Sequence, residues 1–136
     1  MSKVEQTLSL SKPDAVERNL EEEIKQFFIK SGFKITKQKK VKLENKDAEI
    51  FYKVHETKPF YNDLCNYLSS GPIVAMILEK VDAVSENRKV MGATDPTKAD
   101  EGTIRKKYGI SIDKNSVHGS DSIENASKEI NFFFKT

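Results

Sequence analysis

The sequence predicts an α+β fold, a ferredoxin-like sandwich with a four-stranded antiparallel sheet covered by helices. Three observations predict it. Apolar residues switch between strand spacing and helix spacing along the chain. The segments run strand, helix, strand, helices, strand, helices, a short strand and a final helix, an order that antiparallel strands with helices packed on one face satisfy. The 136 residues show no repeat, no low-complexity linker and no break in composition, so residues 1–136 are expected to form one domain.

The elements follow in order. TLSLS places Leu8 and Leu10 on one face of a half-buried strand, which Lys12-Pro13 ends. Asn19 is placed to cap the next helix, with Glu22 three residues on. Leu20, Ile24, Phe27, Phe28 and Ser31 form its stripe, the acids Glu21 to Glu23 suit its positive start, and Gly32 ends it. FKITKQKKVKL reads as an extended, lysine-rich strand, and NKDAEIFYKVH as a helix capped by Asn45. Pro59 opens another short helix that ends at SSGP. IVAMIL is a continuous apolar run, the pattern of a central strand covered on both faces. Asp82 caps a helix through Val90, closed by Gly92. From Ala93 to Gly109 the chain is polar, with one helical turn near Thr103 to Lys107. Asp121 and Glu124 form the last capping pair, followed by a stripe of Ile123, Ala126, Ile130 and Phe133.

The composition, 37% hydrophobic and 32% charged, suits a water-exposed globular domain with a real core. A net charge of +2 is too small to argue by itself for nucleic acid or a membrane surface. No apolar run is long enough to span a bilayer. The start, MSKVEQTLSLSK, lacks the apolar stretch of a signal peptide. The single cysteine, Cys65, excludes an internal disulfide, and without an export signal this favours the reducing cytoplasm. Within FYNDLCNYL, Cys65 reads as a small buried hydrophobe.

Most catalytic patterns are missing. Two distant histidines and one cysteine cannot build a zinc site, and neither a Walker A pattern nor a dinucleotide fingerprint occurs. A Ser-His-Asp hydrolase lacks its nucleophile elbow. What remains is NSVHGSDSIEN, from Asn115 to Asn125. A lone histidine is either structural, solvated or functional. His118 has Gly119 beside it, which leaves open space, and a helix start near Ser122, where backbone amides favour an anion. A neutral imidazole within reach of a phosphate is a good nucleophile. His55 ends a helical stretch without such surroundings and takes the structural reading. Lys12, Arg88 and Arg105 each read alone as solvated charges; converging on one cleft they would clamp a phosphate.

Taken together, NSVHGSDS, SKPDAVERN, FYKVHETKPF, SGPIVAMILE and GATDPTKADEGTIRKKYG resemble the nucleoside diphosphate kinases, over Thr7 to Phe134. The resemblance implies a ping-pong transfer in which His118 takes the γ-phosphoryl of a nucleoside triphosphate and passes it to a nucleoside diphosphate. It implies that Lys12 contacts the phosphates and the ribose 3′-hydroxyl region, and that Tyr52 hydrogen-bonds near the transferred group. Phe60 would stack on the base, Ile112 would flank it, and Arg88, Thr94 and Arg105 would hold the phosphates. Asn115 would reach the sugar, Gly119 would leave room, and Ser120 and Glu129 would support His118. Plain core aromatics at Phe60 and Tyr52, and a solvated charge at Glu129, are the bland alternatives.

Stacking tolerates any base, so broad base tolerance is expected. Mg2+ carried on the nucleotide phosphates would supply the remaining positive charge, which explains the missing carboxylate cage. Members of this family assemble as homo-oligomers, tetramers or hexamers built from a shared dimer. The chain ends at FFFKT soon after its last helix, without the extension of longer members, which leaves less surface for trimer contacts. One position departs from the family pattern. Two places after Tyr52 the family commonly has an acid that helps orient the histidine, whereas this chain has Val54. The expectation is an active but slower enzyme. The runner-up is a nucleotide-binding regulatory homologue with weak or no kinase activity. A third reading, a nucleic-acid binder using KITKQKKVK, competes with a solvated strand face.

Overall fold

The structure, a computed structural model, describes residues 4–112 and 114–134. Four strands form one antiparallel sheet in the order β2-β3-β1-β4: β1 (Val4–Ser11), β2 (Lys34–Val41), β3 (Ile73–Val81) and β4 (Val117–Gly119). The helices are α1 (Pro13–Glu17), α2 (Glu21–Lys30), α3 (Asn45–Phe51), α4 (Tyr61–Leu68), α5 (Ala83–Met91), α6 (Ile104–Tyr108) and α7 (Ile123–Phe133). Short 3-10 turns occupy Lys53–His55 and Pro96–Lys98. The strand order is that of the ferredoxin-like sandwich expected from the sequence.

Helices cover both faces of the sheet, not one. On one face Ala15, Ile24, Phe28, Ala83, Met91 and Ile104 pack against Val74, Met76 and Leu78. On the other, Ala48, Cys65, Leu68 and Phe133 pack against Leu8, Leu10, Ile73 and Ala75. The second buried face of β1 escaped the sequence because it is made of hydroxyls. Thr7, Ser9 and Ser11 are as buried as Leu8 and Leu10, so an alternation that looks half-solvated is sealed on both sides. The central position of IVAMIL holds, with Ile73 to Leu78 all buried.

Several local expectations change. Pro13 starts α1 as well as ending β1: it takes the first helical position, where its missing N–H costs nothing. Asn19 caps nothing and instead makes a left-handed turn at φ +59, with Leu20 at the N-cap of α2. Glu44, not Asn45, caps α3, in a reciprocal box with Asp47. Asp82 holds the N-cap position of α5 but in a left-handed conformation with no side-chain cap bond. Ser122 caps α7 by accepting from the Asn125 amide at 3.0 Å, while Asp121 accepts from the Asn125 side chain. Ile123 drops out of the α7 stripe, being 65% exposed.

β2 is an edge strand and its lysines face solvent. Charged side chains there discourage edge-to-edge pairing, a structural use for KITKQKKVK. No helix of the described residues is long and apolar enough to cross a membrane.

Candidate active site

His118 sits on β4, opposite Leu10 of β1. Directly paired residues share a face of a sheet, so the imidazole projects toward α3, α4 and α7. Glu129 reaches it from α7, where it lies three residues after Ala126 and four before Phe133 on the inward side. His118 Nε2 and Glu129 Oε1 are 2.9 Å apart, and the Ser120 hydroxyl donates to the same oxygen at 2.9 Å. With Nε2 facing a carboxylate, its proton resides there, and Nδ1 keeps its lone pair. The edges of Phe51 and Tyr52 at the end of α3 flank the ring, with centroids at 5.4 and 6.2 Å.

A cavity of about 830 Å³ opens in front of this ring. On one side Lys12 Nζ donates to Asn115 Oδ1 at 2.9 Å, and the Asn115 amide donates to the Thr94 carbonyl at 3.0 Å. On another stand Arg88 of α5 and Arg105 of α6. Arg105 donates to the carbonyls of Gly92 and Val117, both at 3.0 Å, and so braces the strand that carries His118. Burial, and then the charge of Arg88, push the Arg105 guanidinium down to about 10, which leaves it cationic at neutral pH. At the mouth Phe60 and Ile112 expose apolar side chains, 46% and 56% accessible. The Asn125 side-chain amide, then the Asp121 backbone N–H and the charge of Arg88, hold the Asp121 carboxyl below the usual range. Burial, then the negative charge of Glu129, raise the Tyr52 hydroxyl well above its ordinary value, so it stays protonated.

A family model described as nucleoside diphosphate kinase matches residues 5–136. The chain belongs to the nucleoside diphosphate kinase family. A nucleoside diphosphate kinase from Persephonella marina is 54% identical over 131 residues, covering 96% of this chain and 94% of that protein. One from Campylobacter curvus is 53% identical, covering 96% of each. The Aquifex aeolicus nucleoside diphosphate kinase superposes with a TM-score of 0.95 at 40% identity, covering 98% of this chain and 96% of that one. The enzyme from Encephalitozoon cuniculi follows at 0.93 and 39%, covering 97% and 90%. The chain is therefore an enzyme of nucleotide metabolism with nucleoside-diphosphate kinase activity, a phosphotransferase, and its α+β sandwich is the fold of those kinases.

Within this kinase the residues singled out from the sequence meet around one cavity. Lys12, Tyr52, Phe60, Arg88, Thr94, Arg105, Ile112, Asn115, His118 and Gly119 all line it. Ser120 and Glu129 lie behind the histidine. Val54 does not line it. It is 72% exposed in a separate recess of about 410 Å³ that also reaches Glu129, together with Lys53 and Lys128. His55, read from the sequence as structural, also lines the main cavity, with ring centroids 6.1 Å from Tyr52 and 5.9 Å from Phe60. Its spacing from those two aromatics was the only available signal. Among the described residues, no three His, Cys, Asp or Glu side chains gather to hold a metal ion.

Proposed function

We propose that this kinase works by ping-pong transfer through phosphohistidine at His118. The observation that carries the reading is the engagement of Nε2 by Glu129, which leaves Nδ1 as the ring nitrogen for attack. Nδ1 would bond to the γ-phosphorus of a nucleoside triphosphate as the bond to the β,γ-bridging oxygen breaks. The nucleoside diphosphate leaves with that electron pair. A second diphosphate then takes the phosphoryl group by the reverse displacement. Glu129 steadies the positive charge that the ring gains, and Ser120 holds Glu129 in place.

Lys12, Arg88, Thr94 and Arg105 would bind phosphate oxygens, Asn115 and Lys12 the sugar, and Phe60 with Ile112 the base. Tyr52 would donate toward the transferred group. Gly119 would serve differently from the sequence expectation of open space beside the ring: a β-carbon there would collide with Asn87 Nδ2 and lie 2.7 Å from Met91 Cε, so the glycine lets α5 pack against β4. Stacking on Phe60 supports acceptance of purines and pyrimidines alike. The donor set suits Mg2+ that arrives on the nucleotide: five cationic side chains, Lys12, Arg88, Lys89, Lys98 and Arg105, and one carboxylate, Asp100, line the cavity with His118. When bound, Mg2+ neutralises charge on the phosphates. We further propose a homo-oligomer of dimers, tetramer or hexamer, and residence in the cytoplasm.

Incubation with γ-labelled ATP and magnesium tests the reading. Acid-labile label on His118, transferable to an added diphosphate and absent from His118→Ala, is expected. A wild-type protein that transfers phosphoryl groups without labelling His118 overturns it.

A further inference from the structure

Two positions before His118, Ser116 is fully buried and adopts φ +74. That left-handed conformation is costly for a residue with a side chain, and glycine would adopt it freely. The serine hydroxyl is nonetheless engaged on both sides. It donates to Asp14 Oδ2 at 3.0 Å and accepts from Arg18 Nη2 at 3.1 Å. Asp14 is itself buried, and its other carboxylate oxygen accepts from the Tyr67 hydroxyl, which in turn accepts from the Asp14 backbone N–H at 2.9 Å. Arg18 also donates to the Tyr108 carbonyl at 2.6 Å. One hydroxyl therefore joins α1, α4, the end of α6 and the segment leading into β4.

The backbone around Ser116 is tied to the cavity. Its carbonyl accepts from the Lys12 N–H at 2.8 Å. The turn it makes brings Asn115 against Lys12 Nζ and the Thr94 carbonyl. We infer that Ser116 is a positioning residue of the phosphoryl transfer: its hydroxyl, clamped between Asp14 and Arg18, holds the left-handed turn that presents Asn115 and Lys12 to the nucleotide. The inference rests on the reading above, in which those two side chains meet sugar and phosphates while His118 takes the phosphoryl group. A network whose buried members, Ser116 and Asp14, are hydrogen-bonded and whose partly exposed Arg18 closes it from outside defines one geometry, and small displacements of positioning groups are expensive in rate.

Ser116→Gly separates the two roles of the residue, because glycine keeps the turn without strain and removes the clamp. The variant should fold, and its single-turnover phosphorylation by ATP should slow by about tenfold. Phosphoramidate provides the control. It has no base or sugar, and it phosphorylates a histidine nitrogen with loss of ammonia. With this donor the variant should match the wild type within about twofold, because phosphoramidate carries neither a sugar nor a diphosphate for Asn115 and Lys12 to hold. Adding Asn115→Ala should cause no further loss with ATP beyond Asn115→Ala alone.

Wild-type rates with ATP, equal losses with both donors, or additive losses in the double variant each overturn the inference. Should Ser116→Gly not fold, Asp14→Asn enters the same comparison; if neither folds, the clamp is a folding element and the inference falls. A wild-type protein labelled at His118 by neither donor marks failure of the underlying reading, a result distinct from an unaffected variant.

Discussion

His118 and Glu129 meet through one bond of 2.9 Å, Nε2 to Oε1, and that bond decides which ring nitrogen is left for chemistry. Ser120 donates to the same oxygen, so the carboxylate is itself held from behind. Removing it exposes the imidazole to both tautomers and withdraws a charge from the forming phosphohistidine. A hydrogen bond to a charged group is worth about 1.5–3 kcal/mol, or about ten- to a hundredfold in rate. Glu129→Ala should therefore slow single-turnover phosphorylation by that range, with Glu129→Gln nearer its lower end. An alanine variant at wild-type rate would mean that the ring is oriented by other contacts.

Phe60 is half-exposed at the cavity mouth, where Ile112 is the other exposed apolar side chain of the lining. Phe60→Ala should weaken binding of purine and pyrimidine diphosphates alike, each by about 1–3 kcal/mol. Calorimetric titration with ADP, GDP, CDP and UDP checks this, and a loss confined to one base contradicts stacking as the dominant contact.

Val54 changes its meaning once its place is known. From the sequence alone, Val54→Glu is expected to speed transfer by restoring a carboxylate at the histidine. In the fold Val54 is 72% exposed and shares its recess with Glu129 and two lysines. An exposed charge there is screened by water and salt and acts, if at all, through Glu129. The rate of His118 phosphorylation should change by less than about threefold. A tenfold gain in stopped-flow measurements would show that residue 54 reaches the ring.

Gly92 ends α5 at φ +87, and a β-carbon there would lie 2.6 Å from Thr103 Oγ1 and 2.7 Å from its Cβ. Alanine meets both a forbidden backbone and a buried neighbour. Gly92→Ala should cost about 1–3 kcal/mol of stability and disturb Arg105, which donates to the Gly92 carbonyl. Urea denaturation measures the first effect; an unchanged midpoint would show that the backbone relaxes there without cost.

Much of this was legible in the chain because it is local. IVAMIL reads as a doubly covered strand since every residue is apolar, and α2 announces itself by spacing. The block around His118 reads as a nucleophile in open surroundings. What escaped is long-range or disguised. Thr7, Ser9 and Ser11 look solvated, yet helices cover them. Lys12 and Asn115 stand 103 positions apart, so only the folded sheet makes them partners. Ser116 and His55 gain significance from neighbours that no spacing rule connects. Asn19 and Asp121 have good capping chemistry, but Leu20 and Ser122 take those positions because tertiary packing sets where α2 and α7 begin.

The central claim is that Nδ1 of His118 carries the phosphoryl group. Phosphorylating 15N-histidine-labelled protein with ATP and recording 15N and 31P spectra identifies the bonded nitrogen directly. The account predicts phosphorus on Nδ1, with Nε2 still protonated toward Glu129. Phosphorus on Nε2, or on any residue other than His118, would contradict it.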